Sequence, residues 1–308
     1  MITLTRLRTL TLDAPTEPGR PSYVSAASGL VRQGDFLYVV ADDENHMAVF
    51  RGDGSAPGHA VRLFEGALPD EHKARKKQKP DFEALTRLPP FGVFPNGALL
   101  ACGSGSKINR RRGALVGFNP DGGLAEDPHI VDMSFLMTPL EAEFGKLNLE
   151  GVVVAGEDLR VFQRGNKGQK RNAMIRFQLA AVLEALATRS AASLTPISHH
   201  DIDLGEIDGV PLTFTDAACL PNGDMAFSAV AEDTENAYDD GACGGAAVGL
   251  LGGDGTLRWI EPTKDAQKIE GIDARLEDGV LRLLLVTDAD DISIPAGLFT
   301  ATISHRSA

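Results

Sequence analysis

The chain has 308 residues, 43% of them hydrophobic, which is enough to bury a sizeable core and too apolar for a disordered segment. Its 30 basic and 43 acidic side chains leave a formal net charge of −13, which argues against nucleic acid or an anionic membrane as the main partner. Cys102, Cys219 and Cys243 are few, odd in number and without CxxC spacing, so neither a disulfide framework nor a zinc site is expected.

The chain opens on "ITLTRLRTLTL", residues 2–12, which alternates apolar and polar residues as a strand does and lacks the apolar core of a secretion signal. No later segment reaches membrane-spanning length, and a soluble, cytoplasmic protein is expected. From residue 28 onward the sequence repeats. Each unit starts with a short apolar strand A: "SGLV" at Ser28, "EALT" at Glu83, "EGVV" at Glu150, "DAAC" at Asp216 and "EGID" at Glu270. A Gly turn follows, at Gly34, Gly97, Gly156, Gly223 and Gly279. Strongly apolar B strands come next, such as "FLYVVAD" and "LRLLLVTDAD", then C strands such as "HMAVF" and "NAMIRF". Outer D strands are expected at "HAVRLF", "PHIVDM", "ISHHDIDL" and "TLRWIEP". Two insertions read as helices: "TPLEAEFG", with a capping-box start at Thr138, and "FQLAAVLEALATRS", with Leu179, Val182, Leu183 and Leu186 on one face.

Units of roughly 50–70 residues are too long for solenoid coils and match one four-stranded propeller blade each. The expected fold is therefore an all-β, five-bladed propeller in a single domain over residues 1–308, with six blades as the alternative. The fifth unit has no room for its D strand, and the N-terminal strand would supply it and seal the ring.

In such a ring the A strands surround the axis, and four of the five equivalent positions are acidic: Glu83, Glu150, Asp216 and Glu270. Converging carboxylates repel unless a cation sits among them, so a hard divalent cation, calcium above others, is expected there. The alternative is that the acids accept backbone N–H groups and hold the blades in register. Asp81 and Asp273 lie near the same strands as further ligands or turn residues. D-to-A and B-to-C connections share one face, which carries "DDEN" at Asp42, "GSGSKINRRR" at Gly103, "RGNKGQKR" at Arg164, "EDTENAYDDGACGG" at Glu232, "DADD" at Asp288 and "HKARKKQK" at His72. Arg110, Arg111, Arg112, Arg164, Lys167, Lys170 and Arg171 belong to that face, and Lys79, Lys146 and Lys268 lead into A strands, which suits a small anionic substrate. "GSGSKI" lacks phosphate-loop spacing, and "SHHDID" lies on an outer strand, a poor place for a metal.

The "E-G/A-hydrophobic" strands, with "LNLEGVVVAGEDLRVFQRGN" and "KIEGIDARLEDGVLRLLLVTDAD", resemble an uncharacterised bacterial propeller family and the wider group of phytase-like and gluconolactonase/arylesterase-like calcium propellers. The resemblance implies an axial calcium and hydrolysis of an ester, phosphate ester or lactone, with Glu83, Glu150, Asp216 and Glu270 matching the channel-lining acids. It departs in having Ser28 in the first unit, no sixth blade and no evident catalytic histidine. The expected mechanism has calcium polarising the substrate oxygen, an axial carboxylate such as Glu150 as base, Arg164 and Arg110 orienting the anion, and Lys146 and Lys268 beside it. A non-catalytic binding scaffold is the competing reading, and a glycosidase a third that one Trp and three Tyr disfavour.

Overall fold

The computed structural model describes residues 1–54, 56–125, 127–165, 171–233, 242–265 and 267–304. A first strand, β1 (Thr5–Thr9), precedes blade one: β2 (Ala27–Gln33), β3 (Phe36–Ala41), β4 (His46–Arg51) and β5 (His59–Arg62). Helix α1 (His72–Gln78) leads into blade two: β6 (Phe82–Leu88), β7 (Ala98–Gly103), β8 (Arg112–Gly117) and β9 (His129–Asp132). Helix α2 (Ser134–Phe144) precedes blade three: β10 (Leu149–Ala155), β11 (Asp158–Gln163), β12 (Asn172–Gln178), helix α3 (Leu179–Thr188) and β13 (Ser198–Ile202). Blade four adds a short hairpin strand, β14 (Glu206–Ile207), beside its inner strand β15 (Val210–Cys219), which is followed by β16 (Met225–Asp233), β17 (Ala242–Leu251) and β18 (Leu257–Pro262). Blade five is β19 (Ile269–Glu277), β20 (Val280–Thr287) and β21 (Gly297–Ser304). Its fourth strand is β1, antiparallel to β21, so the expected ring closure by the N-terminal strand is present.

Five sheets make a five-bladed propeller, and the six-bladed alternative falls away. The inner strands succeed one another around the axis, β2 beside β6, then β10, β15 and β19, which returns to β2. The core is divided accordingly. One apolar cluster fills each of the five gaps between blades, the last joining Val286 and Leu298 of blade five to Leu30 and Val39 of blade one. Leu99 of β7 packs toward blade one and Leu100 toward blade three, so second strands are buried on both faces and read as unbroken apolar runs.

Three helices form where one or two were expected. Helix α1 arises from "HKARKKQ", a run read from its charge alone; Glu71 caps it by accepting the N–H groups of Lys73 and Ala74. Its buried Arg75 donates to Glu44 Oε1 and to the Asp43 carbonyl, so the run is amphipathic by ion pairing rather than by apolar spacing. Helix α2 starts at Ser134, whose N–H meets Asp132 Oδ1 at 2.8 Å, so Thr138 and Pro139 lie inside it instead of at its start. Burial of Phe135, Leu136 and Met137 extends the helix backward past the capping-box signal. Among the described residues no helix is long and apolar enough to cross a membrane.

Candidate active site

All five inner strands carry a β-bulge at one equivalent position, where the pairing with the second strand skips a residue: Ser28, Glu83, Glu150, Thr215 and Glu270. A bulge takes a side chain out of the ladder and re-aims it, here at the mouth where the loop-rich face opens. The ring therefore holds three carboxyls, and its fourth-blade member is Thr215, which donates to the Ile269 carbonyl at 2.8 Å.

Asp216 falls one position further along, in line with Gly29, Ala84, Gly151 and Gly271. Those small residues let inner strands touch: a Cβ on Gly271 would meet Leu30 N at 3.1 Å, and one on Gly151 would meet Ala217 N at 3.2 Å. The Asp216 carboxylate fills the remaining space. It accepts the N–H of Ala217 at 2.8 Å, of Ile272 at 2.9 Å and also of Leu30, tying blade four to blades five and one beneath the mouth. Burial pushes this carboxyl upward while the three N–H groups oppose the shift. Of the four acids expected around one cation, this one is committed to backbone.

Two charged groups occupy the mouth. On the side of blades one and two, Lys79 Nζ touches Asp42 and lies 3.0 Å from Asp81 Oδ1, and Arg110 Nη1 lies 2.6 Å from Asp81 Oδ2. Ser104 donates to Asp81 at 2.5 Å. Asp81 adopts φ 58°, a strained left-handed backbone for a residue with a side chain. Asp42, Asp81 and Glu83 offer oxygens that all lie within 4.8 Å of one another. On the side of blades three to five, Arg164 bridges Glu232 at 2.5 Å and Glu150 at 3.5 Å, while Lys268 reaches Asp290 at 2.7 Å, Glu232 at 2.9 Å and Glu270 at 3.3 Å. Asn148 donates to Glu150 Oε1 at 2.5 Å.

Glu83 differs from all of these. Among the described residues its carboxyl makes no hydrogen bond and no ion pair. Burial, with Glu150, Asp81 and Asp42 nearby, holds it well above the ordinary carboxyl range despite Lys79. Burial also lifts Glu150 to about 8, against Arg164 and helped by Glu270 and Glu232, and lifts Glu270 to about 7 against Lys268 and Arg164. Burial works against the charge on Lys79 and Lys268, yet their acidic neighbours hold both ammonium groups well above the usual lysine value.

The expected site residues thus separate. Glu83, Glu150, Glu270, Arg164, Arg110 and Lys268 meet at the mouth; Asp216 lies beneath it; Lys146 is exposed on the rim. Arg111 is bound to Glu141, Arg112 lies 4.2 Å over the Phe64 ring, and Arg171 pairs with Asp201 at 2.9 Å, all away from the mouth. Lys167 and Lys170 lie outside the described residues, as do residues 234–241 of the fourth-blade loop. Asp42, Glu232 and Asp290 join the mouth, although the sequence marks these only as loop charge. A signal for part of this existed: the residue just past the second strand is polar in four blades, as Asp42, Ser104, Arg164 and Asp288.

A family model matches residues 23–303, from before the first blade to the last strand. The chain belongs to DUF6929, a family of unknown function. Neither phytase-like nor gluconolactonase-like membership is shown. No curated protein matches the chain. Among solved structures, glutaminyl cyclase of Myxococcus xanthus is similar at 10% identity and TM-score 0.49, covering 98% of each chain. An α-L-arabinofuranosidase of Fusarium graminearum is similar at 10% identity and TM-score 0.44, over 97% of this chain and 98% of that one. Hydrazine synthase of Kuenenia stuttgartiensis is matched at 8% identity and TM-score 0.39 over 90% of this chain, which spans 60% of that chain. Likeness at this level carries no function to the DUF6929 chain.

Proposed function

We propose that the protein is a small-molecule hydrolase whose reaction centre is the acid-ringed mouth, with Glu83 and Glu150 as its working carboxyl pair. The observation that carries this is the state of Glu83: a bulge-aimed carboxyl with no hydrogen bond among the described residues, beside acids that all have partners. Burial and Glu150 keep the proton on Glu83, while Glu150, lifted to about 8 against Arg164, is charged in part at neutral pH, so one can donate while the other accepts. In the reaction, Glu150 in its charged form takes a proton from water, the water oxygen bonds to the acyl carbon or phosphorus, and the bond to the leaving oxygen breaks. Glu83 supplies the proton that the leaving oxygen takes, and proton transfer from Glu150 back through solvent restores the pair. Arg164, 3.5 Å from Glu150, favours the charged form of the base.

The substrate class is a small ester, phosphate ester or lactone with an anionic group. The rim supports this: burial and the like charges of Arg110, Lys146 and Lys76 lower the affinity of Lys107 for its proton, as expected for a basic edge over an acidic well. The test is a hydrolysis screen over esters, lactones, phosphate esters and glycosides with wild type, Glu83→Gln and Glu150→Gln. Turnover of an anionic ester or lactone should fall about 10²- to 10⁴-fold in each variant. Absence of turnover for every class, or unchanged turnover in Glu83→Gln, overturns the proposal.

A second reading adds calcium, favoured by the close approach of Asp42, Asp81 and Glu83. Such an ion would polarise the substrate oxygen, and Lys79, now against Asp42 and Asp81, would have to swing aside for it. Calcium titration after chelation separates the two readings. A thermal shift with calcium that Asp42→Asn removes supports the ion; no shift in wild type leaves the metal-free pair.

A further inference from the structure

At the opposite end of the axis, below Asp216, the five inner strands open into a cavity of about 600 Å³. This is the face of the short Gly turns that join first strands to second strands, such as Gly156 in the lining. The size lies within the range of small-molecule sites, roughly 300–1,000 Å³. Its wall is aliphatic along Val31, Val152, Val154 and Leu276, and polar on one side, where Arg87 and Arg275 stand beside Asp273. The charged lining is balanced, Arg87 and Arg275 against Asp273 and Glu277, whereas acids outnumber bases at the mouth. Arg87, Arg275 and Arg32 all act on the one buried carboxyl of Asp273, which is already engaged by the Arg32 N–H at 3.0 Å. Glu277 is paired with Arg282 at 2.9 Å. Arg87 donates only to Gln33 Oε1, at 3.2 Å, and Arg275 makes no hydrogen bond or ion pair among the described residues.

We propose that this cavity is a second binding site, for a small carboxylate with an aliphatic body, gripped by Arg87 and Arg275 and laid along the half-buried Val154 and Leu276. Guanidinium forks match carboxylate geometry, and branched aliphatic walls gain from covering an alkyl chain. Asp216 and its backbone partners close the floor, so a ligand here is bound independently of the mouth.

The test titrates octanoate calorimetrically into the full chain as wild type, Glu83→Gln and the double variant Arg87→Glu/Arg275→Glu. Saturable binding is expected in the first two and a loss of at least about tenfold in the third. Half-buried Cys219 lines the cavity and Cys243 does not, so octanoate should slow maleimide labelling at Cys219 only. Ala218→Phe, at a half-buried wall position, enlarges a wall residue while leaving both arginines in place and should also abolish binding. No saturable binding of octanoate at millimolar concentration overturns the proposal, as does wild-type affinity in either cavity variant or unchanged Cys219 labelling.

Discussion

Glu83 and Asp216 are both buried acids of the inner strands, and their surroundings give them opposite duties. Glu83 faces other carboxyls and makes no hydrogen bond among the described residues, so Gln, neutral like the protonated acid, replaces it without loss of a bond. Glu83→Gln is expected to keep or raise the melting temperature while lowering turnover, a pairing that calorimetry and the hydrolysis assay read together. Asp216 satisfies three backbone N–H groups from three blades. Asp216→Ala leaves those donors buried without an acceptor and should destabilise by about 3 kcal/mol or more in urea unfolding, whatever calcium is present. A loss under about 1 kcal/mol would mean water replaces the carboxylate and the fastening role is wrong.

The repeated pair of a bulged polar residue and a small residue makes four of the five inner strands serve two ends. The bulge aims a side chain at the mouth, and the small residue that follows lets the next strand come within contact distance. A Cβ at Gly271 would lie 2.7 Å from Val286 Cγ2 and 3.1 Å from the backbone of Gly29, so it can be accepted only by moving strands apart. Gly271→Val should therefore cost about 1–3 kcal/mol and broaden the thermal transition, whereas Gly156→Ala in an exposed turn costs only its φ of 63°. Equal melting temperatures for the two variants would refute the close-contact explanation of the motif.

Around the closed ring, stability is linked to the charge state of the mouth. Glu150 and Glu270 bind protons more tightly in the folded chain, at about 8 and about 7, than the ordinary 4.5 of an unfolded carboxyl. Folding thus holds protons that unfolding releases, so their contribution is present in full below pH 4.5 and is lost as pH rises through 7 and 8. The melting temperature should fall across that window, and Glu150→Gln should flatten the fall. A melting temperature that rises over the same window would contradict the raised values. Closure itself is a matter of one strand: removing residues 1–12 strips β1 from β21 and deletes Leu10 and Leu12 from the gap between blades five and one. That truncation should lower the melting temperature and promote association through the bared β21 edge, seen by light scattering.

Blade number, strand order and the N-terminal closure were legible because alternation, Gly turns and a missing last strand are local features that recur. Glu83, Glu150 and Glu270 could be found the same way, since each opens an apolar strand. Asp216 was misaligned by one residue because sequence similarity follows residue type, while the bulge that defines the ring is a matter of hydrogen-bond register, and register places Thr215 there. Helix α1 was hidden because its buried face is an arginine that needs Asp43 and Glu44 from another blade. The same holds for Lys79, Asp42, Glu232 and Asp290, which are ordinary loop charges until the ring brings them within a few ångströms. Periodicity along the chain was enough to specify the scaffold; which charges meet depends on distances across the axis, and those exist only after closure.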